Sequence, residues 1–441
     1  MSSDELVLAL LRLSEHVRVT ILDSCGVRHL GSHLLIAGVE PIESFEVSNV
    51  DPMRTLALLD DKVRGDAACV FTLSYDFGLK LLNIVPRAKE FASPAEPDLY
   101  LARFAALVVH DYDTGETKLA GHPDAVEALR QKLAAKGVDH SFETPARSTV
   151  TSNFTRDGYL QTIEQIKERI RCGDTYQTNL TQQFSARLPL DLVPQQIFYR
   201  LRKDHPAPFA AYIARGNSTV VSASPERFLK MDNSSGKITT SPIKGTRPRG
   251  KTKVEDLELR QELLASLKDR AENTMIVDLL RNDLGRVCEY GSIRVDDLCD
   301  IEQHPTFFHL VSTISGDLSR NVNFSDILRA VFPCGSITGA PKISTMRIID
   351  EIETSPRGLS MGAIGYYIPP TGFGLPETLE MSVAIRTMVI RDCTATFNVG
   401  GGIVIDSDPE KEYDETITKA RALMNAINGE LQTVSSSTEP L

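Results

Sequence analysis

The stretch Leu379-Glu380-Met381-Ser382-Val383-Ala384-Ile385-Arg386-Thr387-Met388-Val389-Ile390 reads as one β-strand, and Cys393 to Ile405 behind it reads as a second. Leu359 to Ile368, upstream, reads as another. Strands that follow one another with such short connections pair as hairpins, because a parallel return needs a crossover of a dozen or more residues. Working back along the chain, further strands are expected at Phe209 to Ala214, Thr219 to Ala223, Lys237 to Ser241, Ile293 to Asp297 and Thr306 to Ile314. Hairpins outnumber strand-helix-strand units, so the expected fold class is α+β, a large composite of mostly antiparallel β-sheets flanked by helices.

Helices punctuate this pattern. Tyr159, Ile163, Ile166 and Ile170 share one face of a helix ending at Gly173, and Tyr176 to Ala186 follows as a strand. Pro341 to Glu353 and Asp408 to Asn428 also read as helices. In the first third, Asp4 to Val17 and Pro123 to Lys136 are helical, while Leu34 to Val39, Cys69 to Tyr75 and Phe104 to His110 read as strands. Asp113-Thr114-Gly115 marks a hairpin. These signals divide the chain into an N-terminal region 1–136, a Ser-, Thr- and Pro-rich linker 137–157, a catalytic region 158–430 and a tail 431–441.

Composition narrows the class of function. With 41% hydrophobic and 24% charged residues the chain reads as a folded protein. No apolar run is long enough to span a bilayer and no cleavable signal pattern opens the sequence, so the expected location is the cytoplasm. A net charge of -11 without a basic block disfavours nucleic-acid and membrane partners. The 7 cysteines form no C-x-x-C pair, which argues against a disulfide framework or a zinc site.

Several groups carry potential chemistry, and spacing leaves each of them open. Asp269 and Glu272, and likewise Glu412 and Glu415, lie three apart in helical stretches, where they project from one face as a hard-cation site or as solvated surface. Gly400-Gly401-Gly402 interrupts a strand, either as a bulge or to let a ligand approach the backbone. Gly335 to Lys342 precedes a helix but lacks the order of a nucleotide P-loop. Lys244, after a proline and before Gly245-Thr246, is expected in a turn, as a surface charge or a desolvated nucleophile. Cys334 is an inert thiol or a nucleophile, and His309 a core histidine or a site residue.

Taken in order, these pieces resemble the chorismate-using enzymes, which include anthranilate, aminodeoxychorismate, isochorismate and salicylate synthases. The resemblance is carried by Gln177-Thr178-Asn179-Leu180-Thr181, Ser224-Pro225-Glu226-Arg227-Phe228, Pro242-Ile243-Lys244-Gly245-Thr246 and Asp269-Arg270-Ala271-Glu272-Asn273. It continues through Met275 to Gly285, His309 to Thr313, Gly335 to Lys342, Ala384 to Thr387 and Gly400 to Lys419. Ile21-Leu22-Asp23-Ser24 and Leu73 to Gly78 extend it more weakly to the N-terminal region, which the resemblance makes part of one composite fold of the anthranilate synthase component I type.

The resemblance implies roles. Glu272 and Glu415 match magnesium ligands, with Asp269 and Glu412 binding through water. Arg386 matches the residue that holds the side-chain carboxylate of chorismate, and Gly400, Gly401, Gly402 and Lys419 match those around its ring carboxylate. Glu226 matches the general acid for the departing 4-hydroxyl, while Thr246 and His309 line the same pocket. Water-adding members carry lysine where this chain has Gln177, and aminodeoxychorismate synthases carry lysine where this chain has Lys244 and anthranilate synthases have alanine.

The implied reaction is attack by Lys244 on ring carbon 2, then addition of ammonia at carbon 4, giving 4-amino-4-deoxychorismate on the way to 4-aminobenzoate and folate. No G-x-C-x-G nucleophile segment is present, so a separate glutamine amidotransferase subunit is the expected ammonia source and heterodimer partner. Anthranilate synthase component I and an inactive amidotransferase-binding subunit are the alternatives. Asp23 and Ser24 resemble the edge of a tryptophan pocket, and Cys334 and Ser360 depart from the family's usual glycine and aromatic residue.

Overall fold

The computed structural model describes residues 2–28, 33–91, 95–134, 146–232, 234–304 and 307–432. Two large sheets pack face to face, with helices on both outer surfaces. Among the described residues one sheet contains 12 strands and the other 10. Among them pairing is antiparallel, except where Gly429–Leu431 runs parallel to Ser148–Ser152. Ile36, Val70, Phe104, Val109, Ile213 and Ile364 fill the space between the sheets. Among the described residues no helix is long and apolar enough to cross a membrane.

Local chemistry starts and stops the elements. Thr155 caps Arg156–Arg171 by accepting the Gly158 amide, which satisfies one donor left free by the first turn. Tyr159, Ile163 and Ile166 of that helix are buried against Leu180 and Ile403. The chain then turns at Gly173, with φ +81°, into Gln177–Arg187. That strand pairs over ten residues with Thr394–Ile403. Phe209–Ala214 and Lys237–Ser241 form strands with the bounds that their sequence indicates.

Two expected strands are each split between the sheets. Phe104 to His110 divides at Ala105 into Leu99–Phe104 of the smaller sheet and Ala106–Asp111 of the larger. Leu379 to Ile390 divides at Ala384–Arg386 into Thr378–Val383 and Thr387–Arg391, again in different sheets. Apolar residues continue through both corners because both sheets bury their inner faces, so the pattern gives no sign of the bend. Strands that switch sheets by a sharp bend make the corners of such sandwiches. A third corner, at Pro225–Glu226, lies beside the second. There Thr219–Ser224 pairs with Thr387–Arg391, and Arg227–Asp232 pairs with Thr378–Val383. A two-stranded ribbon therefore bends as a unit from one sheet into the other.

Further corrections concern the boundaries. The expected linker 137–157 contains strand Ser148–Ser152 and the start of helix Arg156–Arg171, while 137–145 lie outside the described residues. Of the tail expected from 431, Leu431 ends a strand and 433–441 lie outside the described residues. The N-terminal region contributes strands to both sheets. Cys69 to Tyr75 ends as a strand at Leu73, because Ser74 accepts the Phe77 amide and starts a helix.

One buried ion pair ties the helices around the loop 334–341. The Lys342 ammonium, at the start of Lys342–Ile352, donates to Asp283 Oδ2 at 2.6 Å and to the Val331 carbonyl at 2.8 Å. Asp283 lies in helix Leu267–Leu284, and burial raises its pKa while Lys342 opposes that rise. Removing one partner leaves a buried charge uncompensated. Lys342→Ala is expected to lower the unfolding free energy in urea by about 3–5 kcal/mol; a loss below about 1 kcal/mol would show that the pair does not brace the loop.

Candidate active site

The bend of the ribbon places the main chains of Glu226 and Arg386 at one corner. The Ala223 amide donates to the Arg386 carbonyl at 3.0 Å, and the Val383 amide donates to the Glu226 carbonyl at 3.0 Å. The Ser224 hydroxyl donates to the Val383 carbonyl at 2.6 Å. Arg386 adopts φ +48°, a left-handed conformation that a non-glycine residue takes only where its surroundings enforce it. The two side chains thus hang from a corner whose main chain is hydrogen-bonded to itself.

Neither side chain is neutralised in the ordinary way. The Arg386 guanidinium lies over the Phe307 ring at 5.5 Å, and among the described residues no carboxylate pairs with it. Burial alone moves its pKa downward. Glu226 is buried, and its Oε1 has no hydrogen-bond partner among the described residues. Burial raises its pKa, and the Ser336 hydroxyl and the Lys244 charge act in the opposite direction.

Lys244 occupies a bulged strand and not the turn expected for it. Ile243–Pro248 pairs with Phe307–Asp317, and its register shifts between Ile243 and Thr246. Gly245 sits in the bulge at φ +87°, where a Cβ would meet Asp269 Cγ at 2.9 Å, so the bulge closes on the helix that carries the carboxylates. A bulge re-aims a side chain that a regular strand would point elsewhere. Lys244 Nζ donates to the Ser336 carbonyl at 3.1 Å. Desolvation lowers its pKa, opposed first by Glu272 and then by Glu226. On the same strand Thr246 Oγ1 lies 2.9 Å from Nδ1 of the buried His309.

Carboxylates meet from two helices. Lys268 Nζ lies 3.9 Å from Glu272 and 3.2 Å from Glu412, so it bridges Leu267–Leu284 to Pro409–Ala426. Burial raises the Glu272 pKa, with Glu412 and Asp269 adding repulsion and Lys244 and Lys268 opposing it. Glu415 pairs with Lys419 at 2.6 Å, which lowers its pKa, and Asp269 accepts from Arg247 at 3.2 Å. Among the described residues no three such groups converge on a single ion position. Magnesium commonly takes one or two protein carboxylates and keeps several waters, so an oxygen-rich set of this kind fits it.

The glycine triplet has two separate explanations. A Cβ on Gly400 would fall 1.8 Å from the Leu180 carbonyl, and one on Gly402 would fall 2.2 Å from Gln177 Nε2. The main chain of the neighbouring strand therefore requires glycine at 400, while at 402 a side chain would displace the Gln177 amide. A Cβ on Gly401 would face the other way, 3.5 Å from Glu412 Oε2 and 3.7 Å from Lys419 Nζ, and the Lys419 ammonium donates to the Gly400 carbonyl at 3.2 Å. Gln177 is fully buried with neither side-chain amide atom hydrogen-bonded.

The remaining expectations fall to the side of this cluster. Asp23 and Ser24 line a separate cavity of about 50 Å³, with Phe209, Tyr366 and Glu380 on its walls. The Asp23 carboxylate is taken by Tyr112 and Arg202, each at 2.7 Å, while Ser24 Oγ has no partner among the described residues. The Ser360 hydroxyl accepts the Asn398 amide at 3.1 Å. Cys334 is buried 3.3 Å from Ser336 Oγ, and burial pushes its thiol up to about 12. Sequence reasoning gave no role to Lys268, Phe307 or Ser336, since contacts across elements leave no mark in local spacing.

Comparison with known proteins gives this cluster a context. Aminodeoxychorismate synthase of Streptomyces griseus is 41% identical over 318 residues, which cover 72% of this chain and 43% of that protein. The chain thus matches less than half the length of that relative. Aminodeoxychorismate synthase component 1 of Escherichia coli K12 is 38% identical, over 80% of this chain and 75% of the relative. Anthranilate synthase component 1 3 of Haloarcula marismortui is 36% identical, over 92% and 86%. The crystal structure of anthranilate synthase component I from Streptococcus pneumoniae TIGR4 superposes with a TM-score of 0.77 at 26% identity, covering 90% of this chain and 93% of that one. The family described as chorismate binding enzyme matches residues 25–425, and this chain belongs to it.

Proposed function

We propose that the chain is the chorismate-aminating component of an aminodeoxychorismate synthase, acting in the cytoplasm on ammonia released from glutamine by a separate amidotransferase subunit. The observation that carries this reading is Lys244, whose ammonium is drawn out of water beside Glu226 and Glu272 and whose pKa is lowered by desolvation. A lysine that loses its proton more readily is a better nucleophile. Component 1 names among the relatives support a two-subunit enzyme. Anthranilate synthase component I is the second reading, because relatives of that name match about as well.

Arg386 and the Lys419 side of the glycine strand would hold the two carboxylates of chorismate. Glu272 and Glu415 would hold magnesium, with Asp269 and Glu412 reaching it through water; when bound, the ion offsets the charge of the ring carboxylate. The lone pair of Lys244 Nζ forms a bond to ring carbon 2, the two conjugated ring double bonds each shift by one position away from carbon 2, and the carbon–oxygen bond at carbon 4 breaks. Glu226 gives its proton to the departing hydroxyl, which leaves as water, and burial keeps that carboxyl protonated more readily than an exposed one. Ammonia then bonds to carbon 4, both double bonds shift back, and the carbon–nitrogen bond to Lys244 breaks. The proton shed by the new amine restores Glu226. Gln177 offers an amide at this site and no base, as suits a nucleophile that needs none.

Incubation with chorismate, magnesium and ammonium, read by mass and NMR, is expected to give 4-amino-4-deoxychorismate. Chelation of the metal should abolish turnover. Anthranilate as the main product would establish the second reading, and no consumption of chorismate would mark a binding subunit. Arg386→Ala is expected to raise KM for chorismate about 10- to 100-fold, the loss of one charge-assisted bidentate contact. An unchanged KM would remove Arg386 from the carboxylate site.

A further inference from the structure

Strand Phe307–Asp317 opens with three aromatic residues, Phe307, Phe308 and His309, which a strand presents alternately to its two faces. Phe308 and Leu310 point one way, into an apolar cluster with Leu263 and Cys299. Phe307 and His309 share the other face. There His309 is held by Thr246 Oγ1 at 2.9 Å, and the Phe307 ring stacks against the His309 ring with centroids 6.0 Å apart. Among the described residues Phe307 is part of none of the apolar clusters that form the core. A large, part-buried ring that adds nothing to those clusters calls for another reason to be there.

Its other neighbour is Arg386, whose guanidinium lies over the ring at 5.5 Å. Five other arginines among the described residues lie over rings, and each is also closed by a carboxylate: Arg156 by Glu410, Arg215 by Glu96, Arg227 by Glu380, Arg249 by Asp256 and Arg357 by Glu353. Arg386 has the ring and no carboxylate. None of its side-chain nitrogens is both sealed from solvent and unbonded, so its N–H groups open on accessible space. A ring face attracts a cation through its quadrupole without occupying the N–H fork, whereas a carboxylate takes up the fork and must be displaced by any incoming anion.

We propose that Phe307 is a positioning residue whose ring, steadied by His309, holds the Arg386 guanidinium in place for the side-chain carboxylate of chorismate while leaving its fork open to receive it. The proposal rests on the reading of Arg386 as the group that binds this carboxylate. It goes beyond that reading by assigning the hold on Arg386 to a ring in place of a carboxylate. Phe307 acts through Arg386, so its effect is lost when the guanidinium is removed. The contact serves binding in ground state and transition state alike, and therefore belongs to KM and not to kcat.

The test is a double-mutant cycle on chorismate consumption with magnesium and ammonium, in the full chain. Phe307→Leu, which keeps an apolar side chain and removes the ring, is expected to raise KM for chorismate about three- to tenfold, with kcat within about twofold. Phe307→Tyr, which keeps the ring, should stay within about twofold of the parent in both. In the Arg386→Ala background Phe307→Leu should change KM by less than about twofold. Should the leucine variant not fold, Phe307→Met takes its place with the same expected coupling. A tyrosine variant as poor as leucine, or an equal rise in KM with and without Arg386, would overturn the proposal, the second by showing that the ring acts on the substrate directly or on the fold. The two layers of the argument separate in the single variants. An unchanged KM in Arg386→Ala would overturn the reading of Arg386 and the proposal with it, while a raised KM there beside an unchanged one in Phe307→Leu would overturn the proposal alone.

Discussion

The ribbon that bends from one sheet into the other is the constraint on which the site depends. At its corner the main chain must leave one ladder and enter another, and buried amides and carbonyls cannot go unpaired there. They are satisfied across the corner: Ala223 to Arg386, Val383 to Glu226, and Ser224 back to Val383. The backbone thus completes its own hydrogen bonding without the side chains of Glu226 and Arg386. The positive φ of Arg386 is the local strain that accompanies this arrangement.

Charge handling at the corner differs from that elsewhere in the protein. Arg227 lies 2.8 Å from Glu380, and Arg357 lies 2.7 Å from Glu353, both as closed buried pairs. A few steps away, Arg386 has no carboxylate beside it among the described residues, and Glu226 and Gln177 keep polar atoms without partners. Burying such groups costs free energy that a bound ligand recovers by completing them. A guanidinium without a carboxylate beside it and a desolvated lysine near a buried carboxyl suit the dianion proposed above as the substrate. The carboxylates of the two helices, held for now by Lys268, Lys419 and Arg247, supply the opposite charge at the other end.

Much of this was legible in the sequence, for identifiable reasons. Strands such as Phe209–Ala214 were read to the residue because turns bound them on both sides. The carboxylate pairs were visible as i,i+3 spacings, although only the fold shows that the two helices face one another. What failed was the reading of corners: Ala105 and Ala384–Arg386 carry no turn residue, so each run appeared as one strand. Lys244 was expected in a turn because Gly245 suggests one, whereas the same glycine serves a bulge. At Gly400 the neighbouring strand's main chain already forbids a side chain, whatever ligand approaches the triplet.

The claim at the centre of this account is that Lys244 bonds covalently to the ring. The most direct measurement is the intact mass of the protein after rapid denaturation from a mixture with chorismate and magnesium, in the absence of ammonia. The account predicts a species heavier by one chorismate less one water, located on Lys244 by peptide mapping, which is lost in Lys244→Ala and discharged by ammonium. A protein that turns over chorismate with ammonium at full rate in the Lys244→Ala variant, and never carries the adduct, would contradict it.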